Sequence, residues 1–234
     1  MVNEGFKRKL AAILSADVAG YSRLMGDNEE ATIRTLTNYR SVMSDLIGQH
    51  RGRVVDATGD NLLAEFSSAV DAVNCAVEIQ RALAERNTRL PDDRKMAFRI
   101  GVNVGDVVEK EDRIYGDGVN IAARVESLAE TGGICISGRV YDQVENKLDL
   151  EYAFLGEQKV KNISRPVRVY RVLSSEGATD GAPDLSQLEQ QYRKRLKARY
   201  AEEAAYYVPL AGETSEVIST PPTKAPRSAR RRRH

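Results

Sequence analysis

The stretch Arg53–Phe66, RVVDATGDNLLAEF, constrains the fold of this chain more than any other. Two short runs that favour strands, Arg53–Ala57 and Leu62–Phe66, flank the four residues 58–61, which read TGDN. Glycine and asparagine accept the positive φ angles that short turns need, so the pattern predicts a β-hairpin. The turn would hold the carboxylate of Asp60 at a strand end, on rigid backbone.

A second carboxylate, Asp17, closes the apolar run Leu10–Ala16, which is typical of a strand buried on both faces. Two aspartates at the exposed ends of neighbouring strands could hold one or two hard cations. Mg²⁺ takes one or two protein carboxylates and leaves its other positions to water and substrate phosphates. Taken singly, each aspartate is more simply interpreted as a residue that ends a strand in a turn.

The remaining apolar patterns predict alternating helices and strands. The predicted elements after Asp17 are a helix capped at Asp27 or Asn28 and ending near Gln49, the central hairpin, a helix from Ser67/Ser68 to about Glu85, a strand Phe98–Val104, a helix Gly118–Ala129, a strand Ile134–Ile136, a helix Arg139–Glu145, and strands Tyr152–Lys161 and Val167–Leu173. This irregular order favours a mixed sheet with helices on one face, an α+β fold.

Two of these predictions concern the middle of the chain. Clean alternation of apolar residues over Phe98–Val104 predicts a strand that is buried on one face only. The pair Gly105-Asp106 and the charged run Glu109–Arg113 predict another hairpin, which ends near Tyr115.

The charge of the chain is concentrated at its end. Residues 224–234 hold six Lys or Arg and no acid, which leaves 29 basic against 34 acidic residues in the rest of the chain. The body is therefore not expected to bind nucleic acid specifically. Residues 174–184 have a linker composition, 185–208 predict an amphipathic helix, and 209–234 predict a disordered basic tail. The tail either solubilises the chain or makes weak contacts with anionic lipid or nucleic acid.

Cysteine content and hydropathy predict a soluble, cytoplasmic protein. Cys75 and Cys135 have neither metal-ligand spacing nor the number of a secreted disulfide framework, which favours a reducing compartment. About seven apolar residues precede Asp17, too few for a membrane span and a poor match to a signal peptide.

The segment Gly116–Glu126, GDGVNIAARVE, carries a further motif. On a helix, Asn120 and Arg124 are spaced i, i+4 and share one face. An amide beside a guanidinium is suited to bind a phosphate, because arginine supplies fixed, charge-assisted donors. By itself, the motif fits a solvated helix face better.

Three motifs in this order, Asp17-Val-Ala-Gly-Tyr, Gly59-Asp60 and Val119-Asn120-Ile-Ala-Ala-Arg124, resemble the catalytic domain of class III nucleotidyl cyclases, the adenylate and guanylate cyclases. The resemblance covers Lys7 to Leu173, and these residues are assigned to one catalytic domain. It implies a ferredoxin-like βαββαβ core and a head-to-tail homodimer whose active sites are shared between two subunits.

The resemblance also implies roles for individual residues. It assigns Asp17, the Val18 carbonyl and Asp60 to two Mg²⁺ or Mn²⁺ ions per active site. Asn120 and Arg124 would orient the ribose and stabilise the transition state. The triphosphate would lie near the backbone amides of Gly20, Tyr21 and Ser22, and near Lys161, for which Lys159 is a rival.

The sequence departs from the family at the two positions that usually read the base. Asp56 stands where adenylate cyclases typically have lysine, and Arg113 stands where they typically have aspartate or threonine. The reversed pair has three interpretations. It forms a salt bridge that does not recognise the base, it marks a catalytically weak domain kept for regulation, or it recognises guanine.

The expected function is conversion of ATP to 3′,5′-cyclic AMP and pyrophosphate for intracellular signalling. The alternatives are a guanylate cyclase that uses GTP, and a catalytically weak module for nucleotide binding or dimerisation. The two histidines, His50 at a helix end and His234 at the last position, are poorly placed for catalysis.

Overall fold

A computed structural model of the chain describes residues 7–159 and 166–173. The strands are β1 Lys7–Val18, β2 Gly52–Asp56, β3 Asn61–Phe66, β4 Phe98–Lys110, β5 Arg113–Tyr115, β6 Ile134–Ser137, β7 Glu151–Gln158 and β8 Val167–Leu173. The helices are α1 Tyr21–Asp27, α2 Glu29–Gln49, α3 Ala69–Asn87, α4 Asp117–Ser127 and α5 Gly138–Val144, with one 3₁₀ turn at Asp92–Arg94.

One mixed sheet with the strand order β2-β3-β1-β4-β6-β8-β7 forms the centre of the fold, and β5 pairs with β4. The first four strands, with the helices between them, make a βαββαβ unit in which β1 lies antiparallel to both β3 and β4. β6 runs parallel to β4, and β8 runs antiparallel to β6. The predicted α+β fold with a ferredoxin-like core is confirmed.

Helices cover both faces of the sheet. The large core holds apolar residues of α2, α3 and α5 against the even-numbered residues of β1, such as Leu14. α4 packs on the opposite face, where its residue Ala122 joins Ile13 of β1 in a second cluster. The prediction of helices on one face is therefore wrong for α4.

The helix starts follow from capping residues in the sequence. The Asn28 side chain accepts a hydrogen bond from the Ala31 amide at 3.0 Å, and Ser68 Oγ accepts one from the Asp71 amide at 3.3 Å. Both predicted starts are confirmed. No sequence pattern isolates α1, which begins after Gly20 in a left-handed conformation (φ 74°) and ends just before the Asn28 cap.

The strand β4 differs from its prediction, because residues 98 and 100–105 are all buried and Arg99 is only partly exposed. Its odd-numbered face lies under α4. A Cβ on Gly101 would come within 2.2 Å of the Glu126 amide nitrogen, so only glycine lets the helix approach this closely. The prediction of a half-buried strand is wrong because α4 replaces solvent on the second face.

The hairpin between β4 and β5 is confirmed, but its turn lies at Glu111 and Asp112. Both residues have positive φ angles, 51° and 62°, as a two-residue hairpin turn requires. Gly105 and Asp106 lie inside β4.

Several predictions fall outside the described residues. They concern Lys161, most of the turn between the last two strands, the linker 174–184, the helix 185–208 and the tail 209–234. Among the residues that are described, no helix is long and apolar enough to cross a membrane.

Candidate active site

The pairing of β1 with β3 brings the two predicted metal carboxylates to adjacent strand ends. Asp17 lies opposite Asn61 in the ladder, and Asp60 is the residue just before Asn61. The turn that carries Asp60 is closed by a hydrogen bond from the Asn61 amide to the Thr58 carbonyl (3.2 Å), and Gly59 has a φ of 61°. Carboxylate oxygens are the ligands that a hard cation such as Mg²⁺ prefers.

Asp17 also contacts a residue that the sequence analysis did not identify. Arg99, its neighbour on β4, donates from Nη2 to Asp17 Oδ2 at 2.5 Å. The Nε atom of Arg99 lies 3.5 Å from Oε1 of Glu126 on α4, whose carboxylate is buried. Asp17 is only 8% exposed. The expectation that it stands at an exposed strand end is wrong, because Arg99 and the end of the sheet enclose it.

A second missed residue, Arg40 of α2, contacts the turn that carries Asp60. Its Nη2 atom donates to the carbonyl oxygens of Gly59 (2.6 Å) and Asn61 (2.9 Å). These two carbonyls flank Asp60 on either side. The position of Asp60 therefore depends on a helix as well as on the hairpin.

The segment that follows Asp17 leads directly into the start of α1. Val18 ends β1 and is buried, and Gly20 is the residue before the first turn of the helix. Tyr21 and Ser22 form that turn. The three predicted amides therefore lie at a helix N-terminus, where backbone N–H groups point along the axis away from the helix.

α4 carries the other predicted catalytic pair. Asn120 is exposed and Arg124 is partly buried. The helix is fixed to β4 by Asn103, whose Nδ2 donates to the Gly118 carbonyl at 2.9 Å, and by the close approach of Gly105 to Gly118.

The side of α4 that carries Arg124 faces the far strands of the sheet. Arg124 lines a pocket with Gln158 and Lys159 and with Val167 and Val169 of β8. Lys159, the rival to Lys161, thus shares a pocket with Arg124, whereas Lys161 lies outside the described residues.

Asp56 and Arg113 lie close together in the same chain. Arg113 Nη2 is 3.9 Å from Asp56 Oδ1, and the same oxygen accepts from the Ala57 amide (2.9 Å) and from Thr58 Oγ1 (2.8 Å). The predicted salt bridge between the two residues is present. One oxygen of Asp56 is already used to shape the turn after β2.

Comparison with known proteins identifies the family. A family model described as "Adenylate and Guanylate cyclase catalytic domain" matches residues 7–174. The chain belongs to this cyclase family. It is 46% identical over 171 residues to "Putative adenylate cyclase 3" of Rhizobium meliloti (strain 1021), an alignment that covers 73% of this chain and 29% of that protein. The chain thus spans less than a third of the length of this relative.

Solved structures of cyclases have the same fold. An adenylate/guanylate cyclase/hydrolase from Silicibacter pomeroyi is 42% identical with a TM-score of 0.68, and the match covers 73% of this chain and all of the other. The guanylyl cyclase Cya2 is 28% identical with a TM-score of 0.63, and covers 76% of this chain and all of the other.

Within the cyclase domain, the predicted site residues form two groups. Asp17 and Asp60 lie on β1 and next to β3, whereas Arg124 lies beside β8, three strands away from β1 in the sheet. Strands are spaced about 4.8 Å apart, so three intervals span roughly 14 Å. Arg124 shares its pocket with residues of β8, whereas Ala122 of the same helix packs against Ile13 of β1.

Arg40 and Arg99 were missed for the same reason. Arg40 and Arg99 act through contacts that are distant in sequence, so no local pattern marks them. A signal for Arg99 does exist: it begins the series Arg99, Gly101, Asn103, Gly105 on the non-apolar side of β4. Two glycines in such a series indicate close packing by another element, and a charge at its start then points inward.

Proposed function

We propose that the cyclase domain converts ATP to 3′,5′-cyclic AMP and pyrophosphate, with two copies of the chain sharing each active site. The observation that carries the proposal is the register of β1 and β3, which sets Asp17 opposite Asn61 and so beside Asp60. An isolated structural domain has no need for two carboxylates at one strand end. The 46% identity to a protein named as an adenylate cyclase supports the choice of reaction.

In this proposal Asp17, Asp60 and the Val18 carbonyl hold two Mg²⁺ or Mn²⁺ ions. Bound divalent ions would supply charge neutralisation on the phosphates and activation of the attacking ribose oxygen. Arg99 is already within hydrogen-bond distance of Asp17, so its guanidinium is available to the anionic triphosphate once a cation takes over the carboxylate.

The second copy of the chain would supply Asn120 and Arg124. Asn120 orients the ribose so that its 3′-oxygen attacks the α-phosphorus in line with the departing pyrophosphate. Arg124 neutralises the charge that grows on the α-phosphoryl oxygens, where fixed positive charge has its largest effect. Lys161, or its rival Lys159, which lines the same pocket as Arg124, would bind an outer phosphate. His50 pairs with Glu78 at 2.7 Å and has no role in this scheme.

The roughly 14 Å across the sheet between β1 and β8 is the argument for sharing. A reacting α-phosphate needs both groups at contact distance, and the spacing of these strands favours a pair of chains over one. Two chains arranged head to tail would bring the acidic group of one to the Arg124 group of the other.

The direct test is to incubate the purified protein with ATP or GTP and Mg²⁺ or Mn²⁺ and to measure cyclic product. We expect cyclic AMP from ATP. Asp17→Asn and Arg124→Ala should each be inactive alone, and their mixture should regain part of the activity because one site of the heterodimer carries neither change. Absence of any cyclic product would reject the cyclase activity. No recovery after demonstrated subunit exchange would reject the shared active site.

GTP remains the second candidate substrate because of Asp56 and Arg113. A carboxylate could accept from guanine N1–H and N2–H₂, and a guanidinium could donate to O6, whereas adenine N1 would face the Asp56 charge. The pair is in contact, which favours its reading as a salt bridge. The double exchange Asp56→Lys with Arg113→Asp should leave the ratio of ATP to GTP turnover unchanged if the pair does not read the base, and should shift it strongly towards ATP if it does.

A further inference from the structure

Little apolar packing supports the turn that carries Asp60. Residues 57–59 are exposed and contribute nothing to the apolar cores. A backbone bond of 3.2 Å from Asn61 to Thr58 closes the turn, and Asp56 Oδ1 accepts from the Ala57 amide and from Thr58 Oγ1. Exposed turns of this kind are usually the mobile parts of a fold, yet a metal ligand has to be held to within about half an ångström.

Arg40 supplies a further restraint on the turn. One nitrogen, Nη2, donates to the carbonyls of Gly59 (2.6 Å) and Asn61 (2.9 Å), the residues on either side of Asp60. Bonds from a guanidinium are charge-assisted, so each is stronger than the neutral backbone bond from Asn61 to Thr58. Because the two acceptors bracket Asp60, both the approach and the departure of the chain at that residue are fixed.

The helix that presents Arg40 is itself rigid. The neighbouring residues Tyr39 and Met43 are 4% and 0% exposed. The hydroxyl of Tyr39 donates to Asn87 Oδ1 at 2.7 Å, which ties α2 to the end of α3. Arg40 therefore fixes the turn relative to helices α2 and α3.

On the other side, the turn is fixed relative to Asp17. Asn61 pairs with Asp17 across the ladder, and its Nδ2 atom lies 3.4 Å from Ser15 Oγ on β1. The turn is thus fixed to β1 by Asn61 and to α2 by Arg40. Loss of either would change the separation of the two carboxylates.

We propose that Arg40 is a positioning residue of the metal site, which holds the Asp60 turn at the distance from Asp17 that a pair of divalent cations requires. The proposal rests on the proposed cyclase function. Arg40 touches neither substrate nor metal in this scheme, and it acts only through the backbone of residues 59–61.

The test compares Arg40→Met, which keeps the length of the side chain and removes its donors, with Arg34→Met as the matched control. Arg34 lies on the same helix, and its side chain is 74% exposed and pairs with Glu30. Amide hydrogen exchange at Asn61 reports the turn. Mn²⁺ binding in the presence of 3′-deoxy-ATP, which cannot cyclise, is followed by electron paramagnetic resonance and reports the metal site.

We expect Arg40→Met to speed exchange at Asn61 by about tenfold and to weaken Mn²⁺ binding by about 10-fold to 100-fold, the usual effect of losing a group that orients a metal ligand. Arg34→Met should change neither. Arg40→Lys, which keeps a charged donor, should fall between Met and wild type, and it decides the question if Arg40→Met fails to fold.

Exchange and Mn²⁺ binding that both stay within about twofold of wild type in Arg40→Met would overturn the proposal. Faster exchange with unchanged Mn²⁺ binding would also overturn it, since the turn would then be irrelevant to the metal. A wild-type protein that makes no cyclic product with either nucleotide fails the cyclase proposal instead, so the two failures are told apart.

Discussion

The two ends of β1 carry charged clusters of different kinds on the same face of the sheet. Lys9 and Asp17 are eight residues apart, roughly 26 Å along a strand, and the even spacing puts both side chains on one face. We call the Lys9 end the balanced end, because Lys9 and Arg53 each contact both Glu65 and Glu109, and the Asp17 end the acidic end, because Asp17 and Glu126 both contact Arg99. This difference separates a part of the sheet that only needs to be stable from a part that can bind a cation.

At the Lys9 end, two cations and two carboxylates contact one another, and Arg53 Nη1 also lies 3.2 Å from Asp112 Oδ1. Lys9 Nζ donates to Glu65 (2.8 Å) and Glu109 (2.9 Å), and Arg53 donates to the same two residues at 2.7 and 2.6 Å. Each carboxylate thus contacts both cations. The network joins β1, β2, β3 and β4, because one of its four residues lies on each of these strands.

At the Asp17 end, the carboxylates of Asp17 and Glu126 share the single guanidinium of Arg99. Asp60 adds a further acid at the next strand end. Carboxylates in a partly enclosed position cost free energy to desolvate, and a bound cation would offset that cost. The cost of that arrangement is expected to be recovered when metal and nucleotide bind.

The largest effect that the comparison predicts is on catalysis, at the acidic end. Asp17→Asn keeps the size of the side chain and an oxygen that can accept from Arg99, but removes the charge. We expect turnover of ATP to fall by about 100-fold or more, the scale on which loss of one group at the reacting charges acts. Glu65→Gln at the balanced end should leave the turnover of folded protein unchanged. Retention of a large share of activity in Asp17→Asn would mean that the acidic end is only structural.

The next effect is on stability, at the balanced end. Glu65 is 9% exposed and accepts from both Lys9 and Arg53, so Glu65→Gln removes the shared charge from two cations. We expect the free energy of unfolding to fall by about 2 kcal/mol. The control Glu30→Gln breaks an exposed pair with Arg34 and should cost no more than about 0.5 kcal/mol. Equal losses in chemical denaturation would show that the network contributes no more than a surface pair.

Much of the fold was predictable because its determinants are local. Asn28 and Ser68 cap their helices from within three residues, and the apolar periods of β1, α2 and α3 needed no partner to be recognised. The wrong predictions depend on tertiary contacts. β4 is buried on its second face only because α4 covers it, and that packing requires Gly101 beneath Glu126.

The same division applies to the candidate site. Asp17, Asp60, Asn120 and Arg124 stand in motifs whose order indicates the family, and their roles stay predictions. Arg99 meets Asp17 from 82 residues away, and Arg40 meets the turn from 19 and 21 residues away. Such contacts are set by the strand register and by the packing of α2, which the sequence alone does not specify. The prediction that Asp17 is exposed was wrong for the same reason.

The smallest effect is a dependence of stability on pH at the balanced end. The hydrogen bond from Lys9 lowers the pKa of Glu109 below its ordinary value of 4.5, and burial partly opposes this. A carboxylate whose pKa is lowered by folding stabilises the native state above the pKa of the unfolded chain, and that contribution is lost as the pH falls through the lowered value. Lys9→Met should therefore be less stable than wild type near neutral pH. The gap between the two proteins should narrow as the pH falls below about 4.5. Lys147→Met, which removes an exposed lysine elsewhere, should track wild type at every pH. Urea denaturation across this range measures the gap, and a gap that stays constant would show that Lys9 acts on Glu109 through packing and not through its charge.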